Sequence, residues 1–114
     1  LSPSMEGAYG DMKELLEQGE EPANCYFADN DLIGAGAMRA LKEKGYRIPE
    51  DVAIIGFDDM PLCGYMEPAL STIRVPKQYM GELAAKRLAE IITNPHTSPV
   101  KLEVQTSLVK RKSV

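Results

Sequence analysis

An α/β fold, with a parallel sheet flanked by helices, is the architecture this sequence predicts. Three observations carry the prediction. Short β-type runs, NCYFA at 24–28, VAIIGF at 52–57 and LSTIRV at 70–75, are interleaved with amphipathic stretches of helical period. Strands separated by helices pair parallel in layered folds. The run VAIIGF does not alternate, as expected of a strand buried on both faces. Two of the runs end in clustered acids, DND at 29–31 and DD at 58–59, and open parallel sheets gather polar chemistry beyond the carboxyl ends of their strands.

Taken in order, residues 4–18 read as a helix. Met5, Ala8, Tyr9, Met12, Leu15 and Leu16 form one apolar stripe with Glu and Lys opposite. Ser4 is the expected N-cap and Gly19 the expected residue just past the end. EEP breaks the chain before the strand at 24–28. DND precedes a second helix, LIGAGAMRALKEKG, that stops at Gly45. YRIPED is a loop, followed by the strand at 52–57. A longer loop, DDMPLCGYMEPA, leads to the strand at 70–75. Pro76 opens a third helix, where its missing N–H costs nothing. Met80, Leu83, Ala84, Leu88, Ile91 and Ile92 give that helix its apolar stripe. TNPHTSP ends it. KLEVQTSLVK at 101–110 alternates as an edge strand would, and the basic tail RKSV is expected to fray. No internal repeat or low-complexity tract interrupts the order α-β-α-β-loop-β-α-β.

The totals narrow the function. The chain has 114 residues, 44% apolar and 26% charged, with a net charge of −4. That suffices for one domain, which buries roughly two thirds of its unfolded surface. There is no basic excess of the kind that marks a nucleic-acid surface. No apolar run approaches the roughly 20 residues of a membrane span. The sequence starts LSPSMEGAYG without an initiator Met, so the expectation is a processed start or a piece of something longer. Cys25 and Cys63 are expected as free thiols, since two cysteines make no framework, and this fits a reducing cytoplasm. The lone His96 has no second ligand nearby and reads as a solvated loop residue. There is no G-x-S-x-G, HExxH or CxxC. The sequence therefore predicts no enzyme, no metal and no cofactor. GAGAMRA at 34–40 lies within a helix rather than in a strand-to-helix turn. Its small residues predict close packing, against the sheet or another subunit.

The acids at 29–31 and 58–59 have an ordinary reading. Asn and Asp cap helices and end strands. Their coincidence at two strand ends favours a functional edge. One use is a cleft for a polyhydroxylated ligand, since a carboxylate accepts from two adjacent hydroxyls and an Asn amide both donates and accepts. The other is a receiver-like phosphoacceptor pocket that binds Mg²⁺. Receivers carry a Lys-Pro pair after a later strand, whereas this chain has the reverse, VPK at 75–77. Their acidic pair also stands on an earlier strand.

ADNDLIGAGAMRALKEKGYRIPEDVAIIGFDD, then EPALSTIRVP, MGELAAKRLAEII and SLVKRKS, resemble in order and spacing the C-terminal half of the LacI/GalR family of bacterial transcription regulators. The helix EGAYGDMKELL also fits. The resemblance implies the C-terminal part of an effector domain of the periplasmic-binding-protein type (type I), with two lobes around a cleft. It implies a sugar as effector, sometimes a purine or nucleoside, and operator DNA as partner through an N-terminal helix-turn-helix that precedes these motifs. Effector would shift the lobes and change DNA affinity.

On this resemblance residues 1–69 and 101–114 belong to the C-terminal lobe. Residues 70–100 are a crossover segment of the N-terminal lobe. The ligand-binding positions are Asn30, Asp58, Ser2 and Pro3, with Asp59 bracing the loop. At Ser2 and Pro3 relatives hold an aromatic that stacks on ligand; this sequence has none there, which leaves the ligand type open. Dimer contacts fall on Ala35, Met38, Tyr65 and Met66. The resemblance also implies that the 77–93 helix lacks its natural partner here, so the chain is expected to associate as a homodimer or domain swap and to bind ligand weakly. A solute-binding protein for sugar transport shares the fold and is the alternative; the free cysteines and the SLVKRKS ending disfavour it.

Overall fold

The computed structural model describes all residues, 1–114. Three helices and four strands occur in the order α1 (Met5–Glu17), β1 (Cys25–Phe27), α2 (Asp31–Glu43), β2 (Ala53–Phe57), β3 (Ser71–Arg74), α3 (Lys77–Thr93) and β4 (Ser107–Val109). A single 3-10 turn, Pro61–Gly64, lies in the loop after β2. No helix is long and apolar enough to cross a membrane.

The strands form one sheet in the order β1-β2-β3-β4. β1 and β2 pair parallel, with Cys25 opposite Ala53 and Phe27 opposite Ile55. β2 and β3 also pair parallel, with Ile55 opposite Ser71. β4 runs antiparallel to β3, Ile73 facing Leu108. The expected parallel sheet thus ends in one antiparallel edge strand, a common ending for such sheets. The predicted strand at 101–110 shrinks to its last part because only 107–109 find a partner on β3.

Local chemistry sets the helices. The Ser4 hydroxyl oxygen accepts from the Gly7 amide at 3.0 Å, and Gly19, at φ +88°, closes α1 in the left-handed conformation that suits glycine. α1 buries Ala8, Met12 and Leu16. Met12 and Leu16 meet Met38, Leu41, Ile54 and Leu70 in one apolar core. The small residues of α2 serve α1: a Cβ on Gly36 would stand 2.3 Å from the Met5 carbonyl oxygen and 2.8 Å from the Tyr9 amide nitrogen. The two helix backbones thus approach more closely than any side chain at position 36 allows.

Two expectations fail. β2 is not buried on both faces: only Ile54 and Gly56 are fully covered, while Ala53, Ile55 and Phe57 are half-buried. The helices α1 and α2 cover one face of the sheet; on the other, Phe27 is 61% exposed. The tail, expected to fray, is the second. Ser113 is fully buried. β2 and β3 begin pairing only at Ile55 and Ser71, which leaves backbone groups of Ile54 and Ser71 without ladder partners. Ser113 supplies them. Its hydroxyl donates to the Ile54 carbonyl at 2.6 Å and accepts from the Ser71 amide at 2.8 Å, and its carbonyl accepts from the Ile54 amide at 3.0 Å.

The chain divides into two compact units, Leu1–Arg74 with Ser107–Val114, and Val75–Thr106. β3 stays with the first unit because it is held by β2 and β4. The second unit contains α3, on which no residue is buried. Leu88 is 58% and Ile92 72% exposed.

Candidate functional site

The register of β1 against β2 decides where the acids emerge. Phe27 opposes Ile55 in a parallel pair, so Asn30 and Asp58 both follow the carboxyl ends of the same two neighbouring strands. The tips at 29–31 and 58–59 rise from one rim of the sheet, as the sequence leads one to expect of two parallel neighbours.

Asn30 caps α2. Its side-chain oxygen accepts from the Ile33 amide at 2.9 Å, which leaves the amide nitrogen of that side chain free to donate to a ligand. Asp29 is exposed beside it. Across the rim, Asp58 and Asp59 both have positive φ, 109° and 51°. L-residues adopt this region rarely, at a cost of order 1–2 kcal/mol each. Asp58 stays tied to the sheet through its amide, which donates to the Ile73 carbonyl at 2.8 Å.

Asp59 sits between two guanidinium groups. Arg111 Nη2 donates to one carboxylate oxygen and Arg74 Nε to the other, both at 2.7 Å. Burial opposes its charge, and the bonds from Arg111 and then Arg74 outweigh that, so its carboxyl titrates below the usual range. A depressed acid stabilises the fold above its unfolded pKa and loses that contribution as pH falls through the folded value. Asp59→Asn should cost about 1–2 kcal/mol at pH 7. In urea titrations the gap between variant and parent should close as the pH is lowered through and below the ordinary Asp value of 3.8. A gap that persists to pH 2 would mean that the charge is not what holds the loop.

Two aromatic rings flank the acids. Phe27 and Phe57, on the less covered face of the sheet, meet edge to face with centroids 6.4 Å apart. CYFADND and IGFDD each place a Phe shortly before its acids, a pattern legible without the structure. Ser2 and Pro3 supply no aromatic. The Ser2 amide and hydroxyl both donate to Asp11, at 2.6 and 2.7 Å, fixing the start of the chain to α1. These bonds, hydroxyl first, lower the Asp11 pKa.

A groove of about 320 Å³ opens beside Asp29, floored by Met12, Leu16, Tyr26 and Ile33. Its apolar lining suits hydrocarbon rather than hydroxyls, so the polar rim next to it is the better candidate for a polar ligand. No group of three or more His, Cys, Asp or Glu is placed to hold a metal. Burial, and then a bond to Asp31, push the Cys63 thiol up to about 12, which makes it a poor nucleophile. Cys25 is exposed and Cys63 buried, both as free thiols. Of the residues assigned to a subunit contact, Met38 is 2% and Ala35 8% exposed, with Met38 in the core of the chain. Ala35 and Met38 thus offer little surface of their own. Tyr65, 91% exposed, and Met66, half-buried, retain surface.

Comparison with known proteins agrees with this geometry. Residues 2–114 match the family model described as a periplasmic binding protein-like domain. The HTH-type transcriptional regulator CelR of Thermobifida fusca is 38% identical over 102 residues, covering 90% of this chain and 30% of CelR. The solved transcriptional regulator CelR–cellobiose complex superposes with a TM-score of 0.88 at 34% identity, over 99% of this chain and 34% of that one. The crystal structure of the Lac repressor dimer bound to operator and the anti-inducer ONPF gives 0.87 at 29% identity, over 96% of this chain and 38% of that one. The chain thus spans about a third of the length of each.

Proposed function

The chain belongs to the periplasmic binding protein-like domain family in its LacI/GalR form, and from that premise we propose that it is the effector-sensing portion of a bacterial DNA-binding transcription regulator, taking a sugar at the rim of its sheet. The observation that carries this reading is the shared rim itself. Asn30 offers an amide donor and Asp58 a carboxylate, each just past the carboxyl end of one of two parallel neighbouring strands. A carboxylate and an amide side by side match the adjacent hydroxyls of a sugar. Phe27 and Phe57 add an aromatic surface for the apolar face of the ring. The strained φ of Asp58 supports a ligand-facing role, since such conformations persist where the surroundings enforce them.

In this reading the chain binds and does no catalysis. Operator DNA is contacted by a helix-turn-helix outside these residues, which places the protein in the cytoplasm. The unit Val75–Thr106 belongs to the N-terminal lobe of the whole effector domain, and the exposed apolar stripe of α3 supports that assignment. Two subunits meet through the surface that carries Tyr65 and Met66.

The test is calorimetric titration of the protein with a panel of mono- and disaccharides that includes cellobiose. Asp58→Asn keeps the shape and removes the charge. Loss of a charge-assisted bond should weaken binding about 10- to 150-fold. Unchanged affinity would take Asp58 out of the site.

A further inference from the structure

The loop that carries Asp58 has a support that lies one residue away from the position the sequence singles out. Asp31 is fully buried, yet it belongs to the DND tip. One carboxylate oxygen accepts from the Thr72 hydroxyl at 2.6 Å. The other accepts from the Met60 amide at 2.7 Å. Thr72, also fully buried, accepts in turn from the Asp59 amide at 3.3 Å. Space for this carboxylate exists because residue 56 is glycine: a Cβ there would stand 2.3 Å from Asp31 Oδ1. A glycine inside a strand marks such an approach.

The consequence is local to the rim. Asp58 and Asp59 hold left-handed conformations in succession, and neither is a residue that stays there unaided. The Asp59 and Met60 amides are both held by the Asp31–Thr72 pair, directly or through one hydroxyl. We propose that Asp31 is the positioning residue of the rim: through Thr72 and the Met60 amide it fixes the backbone from which the Asp58 carboxylate meets ligand. The last clause rests on the sugar-binding reading; the pinning of the loop does not.

The test separates the two. Thr72→Val is isosteric and removes the hydroxyl, Thr72→Ser restores it, and Asp31→Asn serves as a second variant should Thr72→Val fail to fold. In the ligand-free chain, hydrogen exchange is followed at the Asp59 and Met60 amides, with the amide–α-proton couplings of Asp58 and Asp59. Loss of the network should speed exchange at these amides at least about tenfold relative to α2 and move both couplings away from left-handed values, with Thr72→Ser close to the parent. Leu16→Ala, a core change that touches neither Asp31 nor Thr72 by a hydrogen bond, should lower global stability and leave that ratio unchanged. Parent-like couplings and exchange in both Thr72→Val and Asp31→Asn would overturn the proposal, as would an equal local effect in Leu16→Ala. Cellobiose titration then adds the functional arm. If Asp58→Asn weakens binding and Thr72→Val does not, positioning for ligand is refuted. If Asp58→Asn has no effect, the sugar reading fails while the amide data still decide whether Asp31 pins the loop.

Discussion

Gly36→Ala should cost the fold about 2–3 kcal/mol, read as a lower urea midpoint at unchanged slope. The added Cβ would meet the Met5 carbonyl oxygen at 2.3 Å, the Tyr9 amide nitrogen at 2.8 Å and Ala8 Cβ at 3.0 Å. Backbone atoms cannot swing aside as a long side chain can. α1 must slide or tilt, which loosens Met12 and Leu16 against the core. Alanine is ordinarily better than glycine in a helix by roughly 0.5–1 kcal/mol, so the clash must overcome that gain as well. Gly10 is the internal control. It lies in α1 with nothing within 4 Å of its would-be Cβ, and Gly10→Ala should raise the midpoint. If both variants move the same way, the close approach of the helices is not what position 36 provides.

The second large effect concerns α3. Its stripe of Met80, Leu88, Ile91 and Ile92 is exposed along the helix, with 44% the least among them. Water disfavours such surface by about 25 cal/mol for each Å². In a solution of this chain alone, the same stripe on a second copy is the partner at hand. Sedimentation velocity should show the weight-average coefficient rising with concentration. Leu88→Glu with Ile92→Glu should push the midpoint of that rise at least about tenfold higher, since each buried leucine or isoleucine contributes 1.5–3 kcal/mol. The double variant should keep its fold, because neither residue is buried in the monomer. A parent that sediments as a monomer at every concentration would show that the stripe tolerates water.

What the sequence made legible was local or periodic. Ser4 announces its helix and caps it as predicted; DND marks the start of α2 without saying which of its residues caps it, and Asn30 does. The strand runs and their parallel order follow from alternation with helices, and with them the shared rim of acids. What stayed hidden depends on partners far along the chain. Asn30 and Asp31 are adjacent polar residues, and only the packing of β3 behind them makes one a cap and the other a buried anchor. The apolar run of β2 matches a strand covered twice, yet one of its faces is only half covered. Met38 lies on a helix face that pattern alone cannot assign to core or contact. Phe27 and Phe57 are ordinary strand residues until the register sets them side by side.

Ser113 has a kinetic corollary. Its bonds reach back 42 residues to Ser71 and 59 to Ile54, among the longest loops this chain must close. Contacts of that span form slowly. A polypeptide halted before residue 107 would present β3 with a bare edge, the kind of surface on which partly made chains aggregate. Closure of the sheet is therefore expected to be a late event in folding, and the yield of shortened versions should depend more on keeping those last few residues than on any substitution at the rim.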